Sequence, residues 1–92
     1  MLVATVIGTL VATSKHERLM GSAIQIIRPV NLDEPSKKAE PMVAVDAIGA
    51  GVGERVIVAT GSAARRAMDD LKAPVDATIV GIVDQIDMEK DL

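Results

Sequence analysis

The residues with the clearest potential for chemistry are glycines. Gly49, Gly51 and Gly53 form G-A-G-V-G inside "GAGVGERVIVATGSAAR", and Gly61 follows eight residues later. Gly-rich loops can cradle phosphates on their backbone N–H groups. The dinucleotide fingerprint needs a glycine at the sixth position and then a helix. Here the sixth position is Glu54 and the following segment, "ERVIVAT", reads as a strand. No Gly-Lys-Ser/Thr occurs, so a Walker-type loop is missing too. The glycines therefore read as tight turns and close backbone packing. In "TGSAAR", Gly61 and Ser62 could open a helix N-terminus that binds an anion. The plainer reading is that Ser62 is an N-cap. Arg65 is expected to make a structural contact.

Other chemistry lacks partners. His16 is the only histidine and there is no cysteine, so a zinc ligand set is not expected, nor is a disulfide. Asp46, Asp76 and Asp84 fall at strand ends or turns, where Asp side chains bond nearby backbone. No nucleophile with a partnered base accompanies them, so no catalytic residues are assigned. No cofactor is expected.

Composition narrows the partners. The chain has 92 residues, no Phe, Trp or Tyr, and a net charge of −3. Single-stranded nucleic acid is usually held by aromatic stacking over a basic groove. That argues against nucleic acid as a partner, although Lys15, Arg18, Lys37, Lys38, Arg65 and Arg66 could cluster, and an OB-type nucleic-acid or small-ligand binding module is the alternative reading. No apolar run is long enough to span a membrane. The start has no basic residue before its apolar part, so a signal peptide is not expected and the default compartment is the cytosol.

The elements that position these residues follow from pattern. "LVATVIGTLVAT" (2–13) is a strand, with Gly8 suggesting a bulge. Val3, Ile7 and Val11 share one face; Leu2, Val6 and Leu10 share the other. Further strands are expected over 22–30, 42–48, 54–60 and 76–86. Pro29 belongs at a strand end. Residues 31–41 form a polar loop, and 61–71 the only helix. Methionines 20, 42, 68 and 88 would fill core gaps. Short strands, tight loops and one helix predict a mainly β fold, a small five-stranded antiparallel barrel treated as one domain over residues 1–92. Several strands are apolar on both faces, which predicts association with further copies. A small domain without aromatic rings also needs burial from elsewhere.

"GTLVATSKHERLMG", "VAVDAIGAGVGERVIVATGSAAR" and "PVDATIVGIVDQI" occur in this order and cover most of the chain. Together they resemble the vertex proteins of bacterial microcompartments, the EutN/CcmL family. The resemblance implies an OB-like barrel and a homopentamer. It implies a structural role, not an enzymatic one, at the vertices of a polyhedral shell with hexameric facets. A metabolosome is favoured over a carboxysome. It also implies that Gly49, Gly51, Gly53, Gly61, Ser62 and Arg65 belong to an assembly motif, packing backbones within a subunit or between two.

Overall fold

The computed structural model describes residues 1–12, 15–19, 21–70, 72 and 74–89. Five strands form a closed barrel: β1 (Leu2–Leu10), β2 (Ala23–Pro29), β3 (Met42–Asp46), β4 (Arg55–Thr60) and β5 (Ala77–Ile82). A 3-10 turn (Glu17–Leu19) precedes β2, and a short helix α1 (Ser62–Ala67) lies between β4 and β5. Around the barrel the order is β1-β2-β3-β5-β4. Four of the five joints are antiparallel, as expected. The fifth, β3 with β5, is parallel and short, pairing Val45 with Thr78 and Asp46 with Ile79. The crossover through β4 and α1 makes that parallel joint possible.

Gly8 sits at a bulge, where the register of β1 on β2 shifts between Val6 and Gly8. The extra residue inverts the alternation of the strand. Ala4 and Val6 point into the barrel, while Leu10 is 38% exposed. Grouping Leu10 with Val6 on one face is thus corrected. Beyond the bulge, Gly8 and Leu10 pair with Ile26 and Ile24 on the outer wall, and Thr9 turns to Gln25.

The interior contains small aliphatic side chains. Ala4, Val6, Ile27, Ala44, Ala50, Val56, Val58, Ala77 and Ile79 form one cluster, with Leu2 and Met42 packed against it. Each fully buried Val or Ile contributes roughly 1.5–3 kcal/mol. A second cluster lies outside the barrel wall, where Val45, Ala64 and Val75 meet Leu19 and Met68. It seats α1. Thr78 is fully buried beneath the helix and donates its hydroxyl to the Ala64 carbonyl at 2.9 Å.

Several boundaries shorten. β3 ends at Asp46 because that side chain turns the chain, and β5 ends at Ile82. The helix covers 62–67, stopped where Asp69 takes a left-handed φ of 57°. Pro29 does close a strand, paired with Ala4. Met42 and Met68 fill gaps as expected, but Met88 is 53% exposed. Met20 lies outside the described residues.

Candidate assembly site

The loop from Ala47 to Glu54 joins β3 to β4 across one end of the barrel. Its underside belongs to the interior, since Ala50 is buried in the main cluster. Asp46 organises its first half. Oδ1 accepts from the N–H groups of Ile48 (2.9 Å) and Gly49 (2.8 Å), and Oδ2 from that of Ala50 (2.8 Å). Glu54 organises the second half, its Oε1 accepting from Gly51 N–H at 2.6 Å. The Gly53 N–H donates to the Val6 carbonyl at 2.8 Å and the Glu54 N–H to that of Gly51 at 3.1 Å. Gly49 and Gly53 have φ near +95° (96° and 94°), a region that residues with a Cβ rarely adopt. The glycines at those two positions are what lets the backbone fold over its own carboxylates.

This geometry bears directly on anion binding. A phosphate cradle offers free N–H groups converging on one point. Here the amides of Ile48, Gly49, Ala50 and Gly51 are already donated to two carboxylates of the same chain. An incoming phosphate would meet occupied donors and two negative charges. Burial pushes the Asp46 carboxyl upward, but the amides of Gly49, Ile48 and Ala50 and the Gln25 side chain outweigh it. Its pKa is held below the usual 3.8.

Gln25 completes the anchor. It is 5% exposed, and both ends of its carboxamide are bonded. Nε2 donates to the Ala50 carbonyl (2.9 Å) and to Asp46 Oδ2 (3.2 Å), while Oε1 accepts from the Thr9 hydroxyl (2.8 Å). Sequence reading assigned Asp46 a backbone-bonding role and missed Gln25. The available signal was one polar residue inside the apolar run "AIQII".

The "TGSAAR" turn departs from expectation. Gly61, not Ser62, occupies the N-cap position, and no side chain caps the helix. Ser62 has already entered the helix and is exposed. The Gly61 N–H donates to the Asp76 carbonyl at 2.9 Å, tying the turn to the approach of β5. Arg65 makes a contact within the subunit, Nη1 donating to the Val75 carbonyl at 3.2 Å. The glycine loop and this turn are thus separate constructions, one closing a barrel end and one docking the helix.

Of the basic residues that could cluster, three have partners within the chain, Arg65 as above and two near the 3-10 turn. Lys15 Nζ donates to the Ser22 carbonyl at 2.8 Å, and Arg18 pairs with Asp70 at 2.9 Å. His16 is exposed, its Nδ1 accepting from the Arg18 N–H at 3.1 Å.

What the loop presents outward is apolar. Ile48 is 50% and Val52 is 64% exposed. Two concavities are found among the described residues, the first reaching the base of this loop. One, of about 410 Å³, is lined by Thr5, the 53–55 segment and residues 82–86. The other, of about 170 Å³, lies on the barrel's side among Leu19, Ile24, Val43, Val45, Pro74 and Val75.

Comparison with known proteins matches this arrangement over nearly its whole length. The family model described as ethanolamine utilisation protein EutN/carboxysome matches residues 1–84. The bacterial microcompartment shell vertex protein GrpN of Rhodospirillum rubrum is 39% identical over 87 residues, covering 95% of this chain and 97% of that protein. The shell vertex protein PduN of Salmonella typhimurium is 38% identical, covering 94% and 98%. The carboxysome shell vertex protein CcmL of Synechocystis is 39% identical, covering 96% and 87%. Among solved structures, an ethanolamine utilization protein EutN superposes with a TM-score of 0.87 at 34% identity, covering 96% of this chain and 91% of that one. The GrpN pentameric microcompartment shell protein superposes with a TM-score of 0.84 at 38% identity, covering 97% and 100%.

Proposed function

This chain belongs to the EutN/CcmL family, and from that premise we propose that five copies form a ring occupying the vertices of a bacterial microcompartment shell. The observation that carries the reading is the pentameric GrpN structure, which matches this barrel end to end. The role is geometric. A five-fold unit introduces curvature where hexagonal facets meet, and hexameric shell proteins are its neighbours. A ring of identical copies requires a head-to-tail contact that closes after five steps. Two unlike surfaces must therefore exist on each copy.

The protein acts by shape and not by catalysis. In support, the loop that most resembles a ligand cradle holds its own carboxylates, and Asp46 is spent on backbone amides. We assign the glycine loop, Gly49 to Gly53, to the contact between copies. Gly61 and Arg65 tie the helix to its own copy, and the exposed Ser62 is left for contact between copies. Native mass spectrometry tests the assembly. The expected particle is about 48 kDa, five chains of 9.6 kDa each. A monomer at micromolar concentration would falsify it.

A further inference from the structure

The glycine loop is rigid in backbone and apolar at its tip. Every N–H from Ala47 to Gly51 is bonded within the chain, as are those of Gly53 and Glu54. The loop therefore has little main-chain hydrogen bonding to offer a partner. What it can offer is Ile48 and Val52, two branched side chains held out by a fixed turn. Preorganised apolar groups bind without the cost of ordering a mobile loop.

The same chain carries a matching concavity. The groove among Leu19, Ile24, Val43, Val45, Pro74 and Val75 is about 170 Å³, with Asp76 as the one charged residue on its lining. An apolar cavity of about 150 Å³ holds a benzene molecule, so the groove has room for a branched aliphatic side chain. Val43 on its rim is 48% exposed. The apolar surface continues onto the outer wall, where Leu10 pairs with Ile24 and Ile26 with Val43. The larger cleft is a poorer receiver. Glu54, Arg55 and Asp84 line it, and the base of the glycine loop forms part of its wall.

The loop covers a barrel end and the groove lies on a barrel side. A convex apolar tip and a concave apolar groove on different surfaces of one chain are what a head-to-tail contact requires. Resting on the ring assembly proposed above, we propose that Val52 of one copy seats in the Leu19–Ile24–Val43–Val75 groove of the next, with Ile48 packed against the adjoining outer wall. Asp46 and Glu54 are the positioning residues that hold the tip out.

The chain has no cysteine, so introduced thiols report without background. The experiment pairs Val52→Cys with Val43→Cys in the full chain and treats the purified assembly with a short bismaleimide. A ladder reaching five chains on a denaturing gel is expected, while each single-cysteine variant stays monomeric on the gel. Val52→Asp, placed at an exposed position, should leave the circular dichroism of the chain unchanged and shift native mass from five chains to one. Absence of the ladder together with a Val52→Asp variant that remains five-fold overturns the inference. So does a ladder formed only when Val52→Cys is paired with Ile82→Cys of the larger cleft. A wild-type chain that is itself monomeric removes the ring reading instead, which keeps the two failures apart.

Discussion

Gln25 and Asp46 are diagonal neighbours on adjacent strands, and Gln25 Nε2 lies 3.2 Å from Asp46 Oδ2. Through that bond a buried amide inside the barrel steadies the carboxylate that folds the loop above it. Thr9, Gln25, Asp46 and the Ala50 carbonyl form one connected set across three strands and a loop.

Gln25→Leu should lower stability by about 1–3 kcal/mol, because the buried Ala50 carbonyl loses its side-chain donor. The measurement is the urea midpoint at fixed protomer concentration. A midpoint equal to wild type would show that water or rearrangement replaces the bond at no cost.

Asp46 also gives the fold an acid dependence. Its folded pKa is lowered, so its contribution is fully present above the unfolded value of about 3.8 and is lost as pH falls through the folded value. Asp46→Asn should be less stable at pH 7 and should lose less on moving from pH 5 to pH 2. Denaturation midpoints across that range test this; parallel profiles for the two proteins would refute it.

Asp70 titrates in a related way for a different reason. The hydrogen bond from Arg18, then that from the Lys72 N–H, lowers its pKa. Arg18→Ala should move the titration midpoint of the Asp70 carboxyl, read by carbon NMR, back toward the ordinary 3.8. An unchanged titration would mean that the Lys72 N–H alone sustains the shift.

Within the glycine loop, substitutions should separate by backbone angle. Gly49→Ala and Gly53→Ala force a Cβ into positive φ and should each cost about 1–2 kcal/mol. At Gly51 the new Cβ would sit 3.3 Å from Glu54 Oε1, the end of a flexible side chain. Gly51→Ala should therefore be milder in thermal melts. Equal losses at all three positions would remove the angular explanation.

Ser62→Ala should change stability by less than about 0.5 kcal/mol, since the hydroxyl caps nothing. Thr78→Val should cost about 1–2 kcal/mol by leaving the Ala64 carbonyl without its buried donor. The reverse ranking by calorimetry would reinstate a capping role for Ser62.

Strand composition and turn residues made the barrel legible, because β-branched runs broken by glycine and proline leave few alternatives. The bulge at Gly8 was readable for the same reason. Its consequence was not, since the parity of Leu10 depends on how β1 pairs with β2. Ser62 misled because small polar residues before a helix usually cap it, whereas here the turn is closed by Gly61 bonding to Asp76. Gln25 was hidden because its partners lie 16 to 25 residues away in sequence. The parallel joint was invisible too, since no local pattern distinguishes which edge a strand will meet.

That parallel joint sets an order of events. Only Val45 and Asp46 on β3 meet Thr78 and Ile79 on β5, with one further bond from Ala47 N–H to the Ile79 carbonyl at 3.3 Å. The other four joints are longer, and hairpin-like pairing of β1 with β2 brings together residues closer in sequence. The β3–β5 seam has the least pairing of the five joints to offset the closure of its loop, so it is expected late in folding. It is likewise where the barrel parts first during local opening, and amide hydrogen exchange at Ala47 should run ahead of exchange in β1. On the proposed seating of the neighbouring loop, the ring would act as a strap across the seam and slow the opening of every barrel it joins.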